Sequence, residues 1–221
     1  MSIRTCAFLT LWVLAAVMTV HSSAARALPE EGTAYRKLEQ PQPTASPGTI
    51  EVIEFFSYGC PHCSDFHPLL SAWAAKLPKD VVFRRVTVSF NRPAWINLAR
   101  AYYALQACGD LDKLDGALFH AIHQERRQLF DEQSLADWVG KNGGNAEKFS
   151  AAYSAFGVNN QTVQADQTAE SYRIEAIPTL AVNGRYIVLG GTFTEILANA
   201  DKVIALARAE AAAGGTATKH K

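Results

Sequence analysis

The stretch IEVIEFFSYGCPHC, residues 50–63, decides how the chain folds. Its first seven residues, Ile50 to Phe56, form a nearly continuous apolar run of β-branched and aromatic side chains, the pattern of a strand covered on both faces. From Cys60 to Lys76 the spacing changes: Phe66, Leu69, Leu70 and Trp73 recur at helical intervals, which predicts a helix. Val81 to Phe90, VVFRRVTVSF, has the β-propensity of a second strand. Strand, helix and strand in close succession predict a parallel pair joined by a right-handed crossover.

Working outward, Leu28 to Gly48 offers a short edge strand at Tyr35 to Leu38 and then meets Pro41, Pro43 and Pro47, which forbid regular structure. Residues 28–92 therefore make the first part of an α/β domain. From Pro93 to about Arg173, Ala, Leu, Tyr and Trp recur at threes and fours, with Gly109, Gly143, Gly144 and Gly157 as stops, which predicts an insertion of four or five helices over residues 93–173. Residues 174–213 return to the sheet: strands Thr179 to Val182 and Arg185 to Val188 are joined by Asn183-Gly184, a two-residue hairpin signal. Thr192 is placed to cap a last helix reaching about Ala212, and residues 214–221 read as a frayed tail.

Composition excludes some functions. With 48% hydrophobic and 19% charged residues the chain is ordinary globular material, and 21 basic against 21 acidic residues leave no surplus to hold a nucleic-acid backbone. Residues 1–27 read as a signal peptide: Arg4 supplies a positive start, Ala7 to Val20 an apolar run too short for a confident span, and Ala25-Arg26-Ala27 a small-x-small cleavage site. Export changes the meaning of the cysteines. Cys6 leaves with the signal, so Cys60, Cys63 and Cys108 remain, an odd number in an oxidising compartment. The 194 residues after Ala27 can bury a core without disulfide staples, which favours chemistry over structure.

Cys60-Pro61-His62-Cys63 lies between the first buried strand and its helix, where a CxxC becomes a redox pair. Pro61 suits the first helical position, which makes Cys60 the N-cap. The amides of His62 and Cys63 and the positive end of the helix dipole then favour a Cys60 thiolate, and a protonated His62 acts in the same direction. Cys63, one turn inward, is the buried resolving thiol. Glu54 breaks the apolar strand; as a buried carboxyl with raised pKa it is placed to relay a proton to or from Cys63, whereas at an edge it would be a solvated acid. Arg85 on the second strand is either its partner or a solvated charge. His120 and His123 share a helix face without a third ligand, so no metal is expected; Cys108 ends an apolar helix as a small buried hydrophobe or an intermolecular thiol; and Arg126-Arg127 reads as a solvated face.

EFFSYGCPHC, Glu54 to Cys63, followed far downstream by IEAIPTLAVNG, Ile174 to Gly184, resembles the periplasmic thiol:disulfide oxidoreductase family called DsbA. The resemblance spans Tyr35 to about Ala212 and implies a thioredoxin fold with an inserted helical domain. It implies a disulfide oxidase acting through Cys60 and Cys63 on reduced, unfolded exported proteins, re-oxidised by a DsbB-like membrane quinone reductase. No organic cofactor or metal is implied, and the chain is expected to be a monomer. The same fold also serves reductases and isomerases, although the short lead-in before Ile50 leaves little room for an isomerase's dimerisation domain. The family's acidic thiol, about 3.5 against about 7 in thioredoxin, would favour the reduced form by about 5 kcal/mol at neutral pH. A buried acid stands at the position of Glu54 in the family, and a basic residue at that of Arg85. An X-Pro bond is ordinarily trans, but the Ile-Pro-Thr context implies a cis Pro178 opposite the CxxC. That geometry would leave the Ile177 backbone, flanked by Thr179 and with Pro61 across the groove, free to pair with an extended substrate. His67 departs from the family, where an acid often follows the motif.

Overall fold

The computed structural model describes residues 28–45 and 48–217, with side chains to residue 213. The expected signal peptide, Pro47 and the last four residues of the expected tail lie outside the described residues.

Ile50–Phe56 forms a strand with all seven residues buried, as a run apolar on both faces requires. In chain order the elements begin with β1 (Tyr35–Lys37), β2 (Ile50–Phe56), α1 (Pro61–Ala74) and β3 (Val81–Thr87). Five helices follow: α2 (Pro93–Cys108), α3 (Leu111–His123), α4 (Glu132–Lys141), α5 (Ala146–Tyr153) and α6 (Phe156–Ser171). The chain then returns through β4 (Thr179–Val182) and β5 (Tyr186–Val188) to α7 (Phe193–Ala217). The sheet runs β1-β5-β4-β2-β3, with β2 and β3 parallel and the other neighbours antiparallel. This is an α/β thioredoxin fold with a helical insertion between β3 and β4.

Apart from shifts of one or two residues at other element ends, three boundaries differ from the sequence reading. The second strand stops at Thr87 instead of Phe90: Val88 N still donates to Phe56 O, but Ser89 turns to bond Asp166, and Phe90 and Asn91 take φ of 46° and 57°. The hairpin pairs Val182 with Tyr186, leaving Arg185 outside the ladder as an extra residue beyond the Asn183-Gly184 turn. Gly184, at φ 64°, also lies where a Cβ would stand 2.0 Å from the Gln42 carbonyl oxygen, so only glycine fits. The last helix continues to Ala217, past the expected start of the tail.

Two apolar clusters flank the sheet. Val52, Phe66 and Leu70 join Val203, Ile204 and Ala207 of α7 in one. Ile53, Phe55 and Phe56 join the insertion in the other, with Leu98, Leu105, Phe119 and Tyr172. The end of β2, and with it the CxxC turn, is thereby wedged between α1 and the insertion.

Candidate active site

Cys60 is the N-cap of α1, with φ −95° and ψ 117°, and Pro61 opens the helix. The Cys63 amide donates to Cys60 Sγ at 3.4 Å. Both thiols are free, and their surroundings divide them. Cys60 keeps 5% of its surface in solvent while Cys63 keeps none, so a reaction partner can reach only Cys60.

The Cys60 thiol is lowered from 9.0 to about 7, first by its hydrogen bond with the Cys63 thiol, against the opposing effect of burial, and further by the Cys63 and His62 amides and the exposed His62 ring. Burial pushes the Cys63 thiol far up, and the neighbouring Cys60 adds to this. The helix start therefore makes a nucleophilic and leaving sulfur of one cysteine and a proton-holding sulfur of the other. This is a milder acidity than the family resemblance implied. A thiol at about 7 is half ionised at neutral pH and accounts for less than about 1 kcal/mol there; the ~5 kcal/mol expected from an acidic Cys60 is not carried by its ionisation in this arrangement.

The Ile177–Pro178 bond is cis, and the loop lies against the CxxC: the Cys60 thiol donates to the Ile177 carbonyl oxygen at 3.6 Å. Ile177, Pro178 and Thr179 are half-buried, and the Thr179 hydroxyl is used internally, donating to Ala176 O at 2.7 Å. On the opposite side, Gly59 packs so closely on Trp95 that a Cβ would stand 2.4 Å from Nε1. The Arg92 guanidinium lies over the Trp95 ring at 4.5 Å.

Glu54 is fully buried, not an edge acid, and Arg85 is its partner: Nε donates to Oε2 at 2.5 Å. Burial raises the Glu54 carboxyl, opposed by the Arg85 charge. Arg85 also reaches Asp115 of α3, donating from Nη1 to both carboxylate oxygens at 2.9 and 2.7 Å, and its guanidinium lies 3.7 Å from the Phe56 ring centre. Tyr58 OH donates to Asp115 at 2.5 Å, and His67 Nε2 is 3.5 Å from the same carboxylate. His67 brings no negative charge after the motif; the acid it faces is Asp115, reaching in from the insertion.

Asp115 and Tyr58 are residues that sequence reasoning missed, and His123 reads in the sequence only as one of a pair with His120, with no place at the site. Asp115 carried a readable signal, since it occupies the apolar stripe of α3, three, four and seven positions before Leu118, Phe119 and Ile122, where an acid requires a partner. The paired histidines part company: His120 is exposed beside Glu125, whereas His123 Nε2 contacts Tyr58 O at 2.7 Å and so carries the proton there. Cys108 is half-buried, its thiol 3.6 Å from Leu105 O and Asp110 Oδ2. Among the described residues, no group of three or more His, Cys, Asp or Glu side chains is arranged to hold a metal ion.

Comparison with known proteins gives a consistent result. Residues 51–200 match the family model described as DSBA-like thioredoxin domain. The chain is 37% identical over 178 residues to a thiol:disulfide interchange protein DsbA from Bordetella parapertussis, covering 79% of this chain and 84% of the relative. It is 37% identical over 183 residues to its namesake from Pseudomonas aeruginosa, covering 81% and 86%. Among solved structures, DsbA from Pseudomonas aeruginosa superposes with a TM-score of 0.78 at 36% identity, covering 81% of this chain and 95% of that one. The oxidoreductase DsbA from Xylella fastidiosa does so at 0.78 and 34% identity, covering 83% and 100%.

Proposed function

Because the chain belongs to the DsbA-like thioredoxin family and is a protein disulfide oxidase, we propose that Cys60 is its exchange centre and that Cys63, His62, Glu54 and the Ile177-Pro178-Thr179 loop serve it. The observation that carries this reading is the opposite proton affinity of two sulfurs one helical turn apart, with only Cys60 accessible. The reductase or isomerase alternative is not favoured, because every relative described above is a DsbA.

The substrate is a reduced, unfolded exported protein. Its thiolate attacks Cys60 Sγ in the oxidised pair; a new S–S bond forms, the Cys60–Cys63 bond breaks, and its electron pair leaves on Cys63. Glu54, buried beside this sulfur, supplies the proton that a thiol so raised must bind. A second substrate thiolate then displaces Cys60, which departs as the more stable anion. The substrate loses two electrons and the enzyme gains them. His62 stabilises the Cys60 anion from the exposed first turn, and Pro61 with the loop at Pro178 bounds the groove in which an extended substrate backbone pairs near Ile177.

This chemistry needs an oxidising compartment, which fits a periplasmic location reached through the signal peptide read in residues 1–27. Turnover requires an oxidant for the reduced pair, for which a DsbB-like membrane quinone reductase is the partner of the right chemistry. The protein acts as a monomer. Cys60→Ser tests the assignment: oxidation of a reduced dithiol peptide should be abolished, and full retention of that activity would overturn it.

A further inference from the structure

The buried carboxylates are unequal, and the inequality assigns a role to the insertion. Glu54 and Asp115 share one cation, Arg85, whose side chain is only 10% exposed. With both acids ionised the cluster would hold a net negative charge away from water, which is costly. The hydrogen bonds decide which acid keeps a proton. Asp115 accepts from Arg85 Nη1 at both oxygens and from Tyr58 OH, and faces His67 Nε2 at 3.5 Å. Glu54 accepts once, through Oε2, and its buried Oε1 has no hydrogen-bond partner. The other groups around Glu54 are Cys63 of α1, Tyr102 of α2 and apolar Leu180 across β4; none is a second cation.

We propose that Asp115 is a positioning residue of the exchange reaction: by occupying Arg85 Nη1, it leaves the shared proton on Glu54, ready for the departing Cys63 sulfur. The inference rests on the Glu54 relay proposed above and deepens it. When the Cys60–Cys63 bond breaks, the proton passes from Glu54 to Cys63, and the Glu54 carboxylate is then reprotonated from solvent. The raised carboxyl of Glu54, to which Asp115 contributes, agrees with this order. One helix of the insertion thereby sets the proton inventory of a site built on the thioredoxin sheet.

The test is the pH profile of mixed-disulfide formation, measured per substrate thiolate on the full-length oxidised protein. In the wild type the rate should fall as pH rises through the Glu54 titration. Asp115→Asn frees Arg85 for Glu54, so this limb should move toward acid by about one pH unit, and Asp115→Glu should restore it. Glu54→Gln should remove the limb altogether. A limb lost in Glu54→Gln but unmoved in Asp115→Asn overturns the role of Asp115 while leaving the relay intact; a limb retained in Glu54→Gln overturns the relay itself. The unmutated protein gives a second reading. Its infrared band for a protonated carboxyl at neutral pH should shift when glutamate carboxyls carry heavy carbon, and a shift with labelled aspartate instead would overturn the proposal.

Discussion

Replacing Cys63 with alanine should raise the Cys60 thiol, because the largest effect lowering it is its hydrogen bond with the Cys63 side chain. A hydrogen bond to a charged acceptor contributes about 1.5–3 kcal/mol. Sulfur is a weak donor, so the lower end applies, which at about 1.36 kcal/mol per pKa unit carries Cys60 from about 7 to about 8. The thiolate fraction at pH 7 then falls from about half to about a tenth, and alkylation of Cys60 should slow about fivefold. Cys63→Ser keeps a donor at the same place, so it should hold the thiol near the wild-type value. Titration of the ultraviolet thiolate absorbance measures both variants, with Cys60→Ser subtracted to remove Cys108, whose thiol burial raises. Equal values for the alanine and serine variants would refute the hydrogen-bond argument and leave the helix amides as the whole cause.

Three further outcomes follow from the buried charges and the hairpin. Arg85→Met should cost about 3–5 kcal/mol of unfolding free energy at neutral pH, since Glu54 and Asp115 lose their common cation, and acidification should recover part of it; a loss under about 1 kcal/mol in denaturant melts would contradict the pairing. Glu54 has a folded-state carboxyl raised above 4.5, so its contribution to stability is present below that value and is lost as pH rises through the higher, folded one. Glu54→Gln should therefore gain on the wild type as pH rises, and a pH-independent difference would contradict the raised carboxyl. Gly184→Ala should lower stability by about 2 kcal/mol or more, through positive φ and the clash with Gln42 O; an unchanged melting temperature would contradict the close approach.

Much of this molecule is legible in the chain because its decisive signals are local. The apolar run at Ile50–Phe56, the CxxC at the helix start and Asn183-Gly184 each fix backbone shape over a few residues. The register at Arg185 and the early end of the second strand were not legible, since they depend on contacts with Gln42 and Asp166 far away in sequence. In the site, burial of Glu54 could be expected from its position in an apolar strand, but Asp115 comes from a different helix 30 residues beyond Arg85. Its place on an apolar stripe marked it as needing a partner without saying which. Composition likewise could not tell that His123 holds the Tyr58 carbonyl while His120 faces solvent.

An accessible Cys60 that ionises near neutrality beside a Cys63 that holds its proton is what makes the pair an exchange centre. The most direct test is the reduction potential of the pair, equilibrated with glutathione across the pH range. The slope should change near pH 7, from about 59 mV per pH unit where two protons accompany two electrons to about 30 mV where Cys60 stays ionised. A slope with no break until the pH of an ordinary thiol would contradict the account.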